Sequence, residues 1–489
     1  MSRIDRSRAD HAAAKLLLAA ALLALLPGGA WTGTAAAQTS PPTGSGAAPA
    51  GAGTEAGRAP AGRGRCHVDP AEDKGDFHPN LHDLRSPESV ENCDADRIAG
   101  DRERQRIQRY LAQHVRPEDV VRSLELPSGE IVDCVDVQRQ PALRRTGMEG
   151  HQIQFAPRSE AVEERPDPKG RYSEKEVDPG LRGEIVAARQ VYGADGRICP
   201  ERTIPIRRLT IEILRNFETL EQFFRKYPPH LVDGPNDLHQ YAHAYRGVAN
   251  WGAQSILNVW SPYTERASEF SLSQIWVSRG SGDSLETVEV GWQKYRDLYG
   301  DYQPRLFIYF TPDNYKSGGC YNLTCSGFVQ VSNSIYIGGA FTNISAHPHP
   351  SPAWEFNIRW QKDGTSGHWW LKYGDTWVGY YPRSLFDGNG LRDQASEVDF
   401  GGEIIDEQPG GRHTKTDMGS GHFPADGFGY AAYQRQIRYI TTGNAWATRP
   451  ALTASRTDAD CYDISVQSSS GAWERYFYFG GPGYWAHCQ

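Results

Sequence analysis

Two glutamates stand where strand chemistry does not favour them. In SLETVEVGWQKY, residues 284–295, the side chains of an extended chain alternate between two faces. Val288, Val290 and Trp292 fall on one face, and Thr287, Glu289, Gly291 and Gln293 on the other. In SEVDFGGEIID, residues 396–406, Val398, Phe400, Gly402 and Ile404 share one face and Asp399, Gly401, Glu403 and Ile405 the opposite one. Glutamate is a poor strand former, yet Glu289 and Glu403 each hold mid-strand, opposite an apolar face and close to glycine. A glycine at such a place lets another backbone, such as a substrate's, approach closely. Two glutamates on one open face can divide the work of hydrolysis. One, ionised, activates water; the other, kept protonated by the first charge and by partial burial, donates a proton. Surface glutamates facing solvent satisfy the same alternation.

Other chemistries fit less well. HQYAH places His239 and His243 four residues apart, but Gln240 stands where a zinc peptidase needs glutamate. GTSGH and MGSGH are glycine turns around a serine, and no GxSxG elbow occurs. The eight cysteines include no CxxC pair for zinc. In an exported chain they favour disulfides over thiol catalysis. Cys320 and Cys325 bracket a short loop, Cys461 and Cys488 bracket the last segment, and Cys66, Cys93, Cys134 and Cys199 lie in the first half. No metal or other cofactor is expected. The formal net charge of −8 and the lack of a Lys/Arg-rich block exclude a nucleic-acid partner.

The elements that would position the glutamates begin late in the chain. Arg3, Arg6, Arg8 and Lys15 precede the apolar run Leu16–Leu26, and small residues lead to Ala37, the order of a secretory signal. That run is too short to span a bilayer and no other stretch comes close, so no membrane partner is expected. Residues 38–65 are Gly, Ala, Pro, Ser and Thr and form a linker. From 66 to about 228 the chain is charged. An amphipathic helix is expected over 96–115, a hairpin over LELPSGEIVDCVDV, and a second helix through TIEILRNFETLEQFFRKY, stopped by Pro228 and Pro229. Apart from Trp31, every tryptophan lies at or beyond Trp251. That half is short alternating runs separated by turn residues, which predicts a β-sandwich or barrel. A domain boundary therefore falls between about 205 and 240.

The runs GAQSILNVWSPY, EFSLSQIWV, TVEVGWQKY, the stretch from YGDYQPRLF to CSGFVQVS, HWWLKY, VGYYPRSLF, GGEI and TDMGSGHFPADGFGYAAY resemble the neprosin family, secreted glutamic peptidases best known from plants. The resemblance covers roughly 240–489. SGEIVDCVDVQRQPAL also resembles the family's activation peptide. The resemblance implies an all-β sandwich of two bent antiparallel sheets preceded by a small α+β propeptide domain. It implies Glu289 and Glu403 as the catalytic pair, and disulfides Cys320–Cys325 and Cys461–Cys488; pairing among the four earlier cysteines stays open. The expected order is signal peptide 1–37, linker 38–65, activation peptide 66–228 and catalytic sandwich 229–489. The implied activity is that of a secreted, monomeric endopeptidase made as a zymogen. Its own propeptide is the inhibitor, its substrates are peptides or proteins, and it works in acid, with cleavage after proline as in plant members. Gln274, Trp276 and Gln293 could lie near the pair. The acidic stretch after GGE, IIDEQPGGRH, departs from the family and would reshape one rim of the cleft. A glycoside hydrolase with paired glutamates in a tryptophan-lined cleft is the first alternative. A non-catalytic carbohydrate-binding sandwich is the second.

Overall fold

The computed structural model describes residues 96–162, the backbone of 185–187, and residues 197–226, 238–316, 318–347, 352–408 and 411–489. The signal and linker segments, Cys66, Cys93, Pro228 and Pro229 lie outside the described residues.

The N-terminal portion is small and mixed. Helix α1 (Gly100–His114) buries Ile107, with Ile98 buried just ahead of it. Strands β1 (Val120–Glu125) and β2 (Ile131–Asp136) form the expected hairpin. The short β3 (Ile185–Ala187) pairs away from them, and β4 (Thr203–Arg207) completes a three-stranded antiparallel sheet on β2. Cys134 in β2 is bonded to Cys199, just before β4. The single helix expected over 210–227 is instead two, α2 (Ile211–Leu214) and α3 (Leu220–Phe224). The break is local. Thr219 and Gln222 form a capping box that starts a new helix, and the buried Asn216 amide donates to the Asp297 carbonyl at 2.9 Å. Helix α3 ends at Phe224, before the prolines are reached.

The C-terminal portion is all-β. In chain order come β5 (His239–Asn258), β6 (Phe270–Arg279), β7 (Glu286–Tyr295), β8 (Arg305–Thr311), β9 (Cys320–Tyr321) and β10 (Val329–Gln330). Then follow β11 (Ala353–Lys362), β12 (Trp369–Tyr373), β13 (Thr376–Tyr381), β14 (Ala395–Ile405) and β15 (Ala432–Thr441). The last are β16 (Trp446–Thr448), β17 (Thr453–Arg456), β18 (Asp463–Ser468) and β19 (Arg475–Gly480). Helix α4 (Arg296–Tyr299) is a single turn after β7.

Strand β5 joins two sheets. Its first half pairs with β14 and β17, in a sheet that continues β14-β6-β7-β8-β9. Its second half pairs with β11 and β15, in a sheet that runs β10-β13-β12-β11 on one side and β15-β19-β18 on the other. The strand turns between the sheets at Asn250–Gly252. The Asn250 carboxamide accepts from Gly252 N–H at 3.0 Å, and a Cβ on Gly252 would meet the Trp360 carbonyl oxygen at 2.1 Å, so only glycine lets β5 pass this close to β11.

Between the sheets lies the main core. Val288, Val290, Trp292, Val398, Phe400 and Ile404 of the first sheet meet Ile358, Trp360, Trp369, Leu371 and Tyr381 of the second. These are the apolar faces anticipated from the alternation around the two glutamates. No described helix is long and apolar enough to cross a membrane.

Cys320 is bonded to Cys325 and Cys461 to Cys488. The second bond closes the longer loop, 27 against 5 residues of separation. Replacing both Cys461 and Cys488 by serine should therefore cost about 3–4 kcal/mol in a denaturant titration, against about 2 for the Cys320/Cys325 pair. Equal losses would contradict the loop-closure account.

Candidate active site

The outer face of the first sheet, the one turned away from the core, carries both glutamates. Strand β6 lies between β7 and β14, with Trp276 opposite Glu289 and Leu272 opposite Glu403. Gln274, midway between those two β6 residues on the same face, is level with Gly291 on one side and Gly401 on the other. The carboxylates thus approach one another diagonally across Gln274. Gly291 has a structural reason beyond substrate access. A Cβ there would meet the Ser273 carbonyl oxygen at 1.9 Å, so the strands could not pair as they do.

This face is not open. Helices α1, α2 and α3 pack on it, and Ile98, Ile107, Leu214, Phe217, Leu220 and Phe223 form a second core with Leu272, Trp276, Tyr309 and Tyr321. Glu289 is 0% and Glu403 1% exposed. At the end of the segment after α3, Lys226 is 3% exposed and reaches between them. Its Nζ donates to Glu289 Oε2 at 2.7 Å and to Glu403 Oε2 at 2.6 Å, and it lies 5.5 Å from the centre of the Trp276 ring.

Each carboxylate has further donors. Glu289 Oε1 accepts from the Thr287 hydroxyl at 2.8 Å and the Tyr315 hydroxyl at 2.7 Å. Glu403 Oε2 accepts from the Gln274 amide at 3.0 Å, and Glu403 Oε1 pairs with His239 Nδ1 at 2.6 Å. Burial alone would raise the Glu403 pKa; the Lys226 charge and the His239 hydrogen bond outweigh it and hold the carboxyl below its usual range. Burial would likewise lower the Lys226 pKa, but the two carboxylates raise it instead. One ammonium shared by two carboxylates is a short, charge-assisted arrangement.

Of the residues singled out from the sequence, Gln274 and Trp276 join the pair, while Gln293 is held by the Tyr321 and Tyr299 hydroxyls, 3.3 Å from each. His239 and His243 face the same way along a strand, not a helix. His243 Nδ1 binds Asp399 Oδ2 at 2.6 Å. His413 lies near Cys461 and Cys488, whose sulfurs are bonded to each other and offer no thiolate for a metal. In the acidic stretch after Glu403, Asp406 is buried and Glu407 half-buried, Glu407 N–H donates to Glu269 at 3.0 Å, and burial pushes the Glu269 carboxyl up to about 8.

Sequence reasoning missed Lys226, Tyr315 and the His239 contact. Thr287 was visible as a neighbour on the Glu289 face. Tyr315 arrives on a turn in which Asn314 and Tyr315 both have positive φ, pinned by Tyr315 N–H to Thr311 Oγ1 at 2.7 Å. Only the Asn of TPDNYK hints at such a turn.

A sequence profile described as Neprosin matches residues 267–482, which include both glutamates. One described as Neprosin activation peptide matches residues 123–246, which include Lys226. Among solved structures, scytalido-glutamic peptidase with a transition state analog inhibitor aligns at 12% identity over 50% of this chain and 98% of that one, with a TM-score of 0.29. SCP-B, a member of the Eqolisin family of peptidases in complex with the tripeptide Ala-Ile-His, aligns at 8% identity over 50% and 98%, with a TM-score of 0.25. CG-16, a homodimeric agglutinin from chicken liver, aligns at 9% identity over 33% and 93%, with a TM-score of 0.18.

Proposed function

This chain belongs to the neprosin family, and from that premise we propose that it is the zymogen of a secreted glutamic endopeptidase, with Glu289 and Glu403 as its catalytic pair. The division we adopt is signal 1–37, linker 38–65, activation peptide 66–228 and catalytic sandwich 229–489.

The observation that carries this reading is the Lys226 ammonium between two buried carboxylates. It occupies a point within hydrogen-bond distance of both carboxylates, where a water would reach both. With Lys226 in place no such water fits; with the activation peptide gone, the point is free. Glu403 then keeps His239 and Gln274 as donors, which favour its ionised form, so it serves as the base. It takes a proton from the water as the oxygen bonds to the scissile carbonyl carbon, while protonated Glu289 gives its proton to the carbonyl oxygen. Collapse of the intermediate breaks the C–N bond: the proton held by Glu403 passes to the leaving amine, and a hydroxyl proton returns to Glu289 as the carbonyl re-forms. What lies in the cleft here is a polypeptide, which favours a peptidase over the glycoside hydrolase. For specificity we propose cleavage after proline: Trp276, opposite Glu289, and the adjacent Tyr309 offer aromatic faces to a pyrrolidine ring.

Acid should unlock the zymogen. Glu403 has a folded-state pKa lowered from its ordinary value, so the docking stability it contributes is present above the unfolded value of about 4.3 and is lost as the pH falls through the lowered one. Latency at pH 7, and N-terminal trimming with onset of activity at about pH 3–4, are expected. The test is to sequence the N-terminus before and after acid treatment, digest casein with the treated protein, map the cut sites by mass spectrometry, and offer a β-glucan in parallel. Untrimmed protein fully active at pH 7, a trimmed form that works best above neutrality, or sugar release without peptide cleavage would each refute the proposal.

A further inference from the structure

The activation portion touches the sandwich in a second place, far from the glutamates. After β2 the chain makes two short 3-10 turns, Val137–Arg139 and Pro141–Arg144, and then runs as an irregular strap to Val162. The strap lies on the outer face of the second sheet. Trp369 and Leu371 of β12 point into the core, whereas Trp370 points the other way and packs with Tyr380, Val329, Ala142 of the second 3-10 turn and the strap residues Met148 and Ile153. Further along, Ala161 packs with Ile440 and Trp446.

The strap's main chain and its side chains share the polar contacts. His151 Nε2 lies 2.7 Å from the Tyr380 hydroxyl, and the Ser159 hydroxyl donates to Asp363 Oδ1 at 2.8 Å and accepts from Gly364 N–H at 3.0 Å, while the main-chain contacts are five. Gln154 N–H donates to the Tyr380 hydroxyl at 3.2 Å and Arg158 N–H to Asp363 Oδ2 at 3.1 Å. The Ser159 carbonyl accepts from the Gln361 amide at 2.9 Å and the Glu160 carbonyl from the Asn444 amide at 2.7 Å. Val162 N–H donates to the Asn444 carbonyl at 3.0 Å. The Trp377 indole donates to the Glu160 carboxylate at 3.0 Å. Groups that bind a backbone hold any extended chain of suitable shape, and the aromatic faces between them accept varied side chains.

We propose that this face, once the strap has left it, is an exosite that holds an extended polypeptide segment of the protein substrate. The proposal rests on the zymogen reading above, because the strap lies within the matched activation-peptide region. The strap is the template for its occupant: an unfolded chain bound through its backbone, with apolar side chains on Trp370 and near Trp446. The exosite and the glutamates sit on opposite outer surfaces of two sheets stacked about 10 Å apart. A substrate must therefore extend roughly ten or more residues, at about 3.3 Å each, to occupy both. Long chains are retained and short peptides gain nothing.

The test uses acid-activated protein, casein, an octapeptide reporter and a synthetic peptide of residues 150–162. The peptide should inhibit casein cleavage competitively and leave octapeptide cleavage unchanged. Gln361→Ala and Trp377→Ser should each raise KM for casein about two- to tenfold, with octapeptide kcat/KM and thermal unfolding unchanged. Fluorescence anisotropy of the labelled peptide should show saturable binding to activated protein that Trp377→Ser weakens; this arm needs no catalysis. Loss of octapeptide cleavage altogether would count against the peptidase reading, not the exosite. A strap that copurifies with the activated enzyme, a peptide that does not bind, or inhibition of both substrates alike would overturn the exosite.

Discussion

Glutamine at either 289 or 403 should lower peptide hydrolysis by at least about a hundredfold while leaving the fold intact. The substitution keeps the shape and hydrogen-bonding reach of the side chain but removes its ability to take or hold a proton. The folded sandwich should tolerate it, because the core-facing neighbours Val288, Val290, Phe400 and Ile404 are untouched, and Thr287, Tyr315, Gln274 and His239 remain as partners. An inactive variant cannot trim itself, so wild-type enzyme must cut it in trans and then be removed by an affinity tag. Activity is then read as kcat/KM on a defined peptide, with circular dichroism and thermal unfolding as the control. Near-full activity in either variant would exclude the pair as catalytic residues.

Lys226→Met should turn a tightly latent zymogen into a leaky one. Methionine fills much of the lysine volume but leaves two buried carboxylates without their cation. Breaking a buried ion pair from one side costs about 3–5 kcal/mol, which corresponds to roughly two to three and a half powers of ten in the docking equilibrium. The penalty is largest at neutral pH, where both carboxylates would have to be charged, and shrinks in acid as the pair takes up protons. The trimming threshold, followed by N-terminal sequencing across a pH series, should therefore move upward relative to wild type. An unchanged threshold would mean that the helices on the cleft, not the lysine, impose latency. Charge elsewhere between the two portions runs in both directions: Arg97 of the N-terminal portion pairs with Asp297 at 3.1 Å, whereas Arg305 of the sandwich pairs with Glu130 at 2.7 Å. Arg305, like Lys226, is buried in its pair.

Which residues face the core and which face away was legible wherever a strand alternates. Glu289 and Glu403 stand out because period-two alternation is a local property of an extended chain, readable from neighbours two residues apart. The fold class was legible for the same reason, together with the turn residues between runs. The second helix failed because Thr219 and Gln222 restart it, a competition among local caps that periodicity does not weigh. Strand register was not legible. That Trp276 opposes Glu289 and Leu272 opposes Glu403, bringing the two carboxylates to a common point over Gln274, depends on how three strands slide past one another. Least legible was Lys226, one cation in an ordinary charged segment, 63 and 177 residues from its two partners. A pairing at that separation leaves no local pattern. It exists because the α1–α3 layer docks an apolar surface on the outer face of the first sheet, and the buried carboxylates there require a counter-charge. The sequence by itself determined the candidates and the faces they occupy; only the tertiary structure decided that they meet, and that the chain's own lysine stands between them.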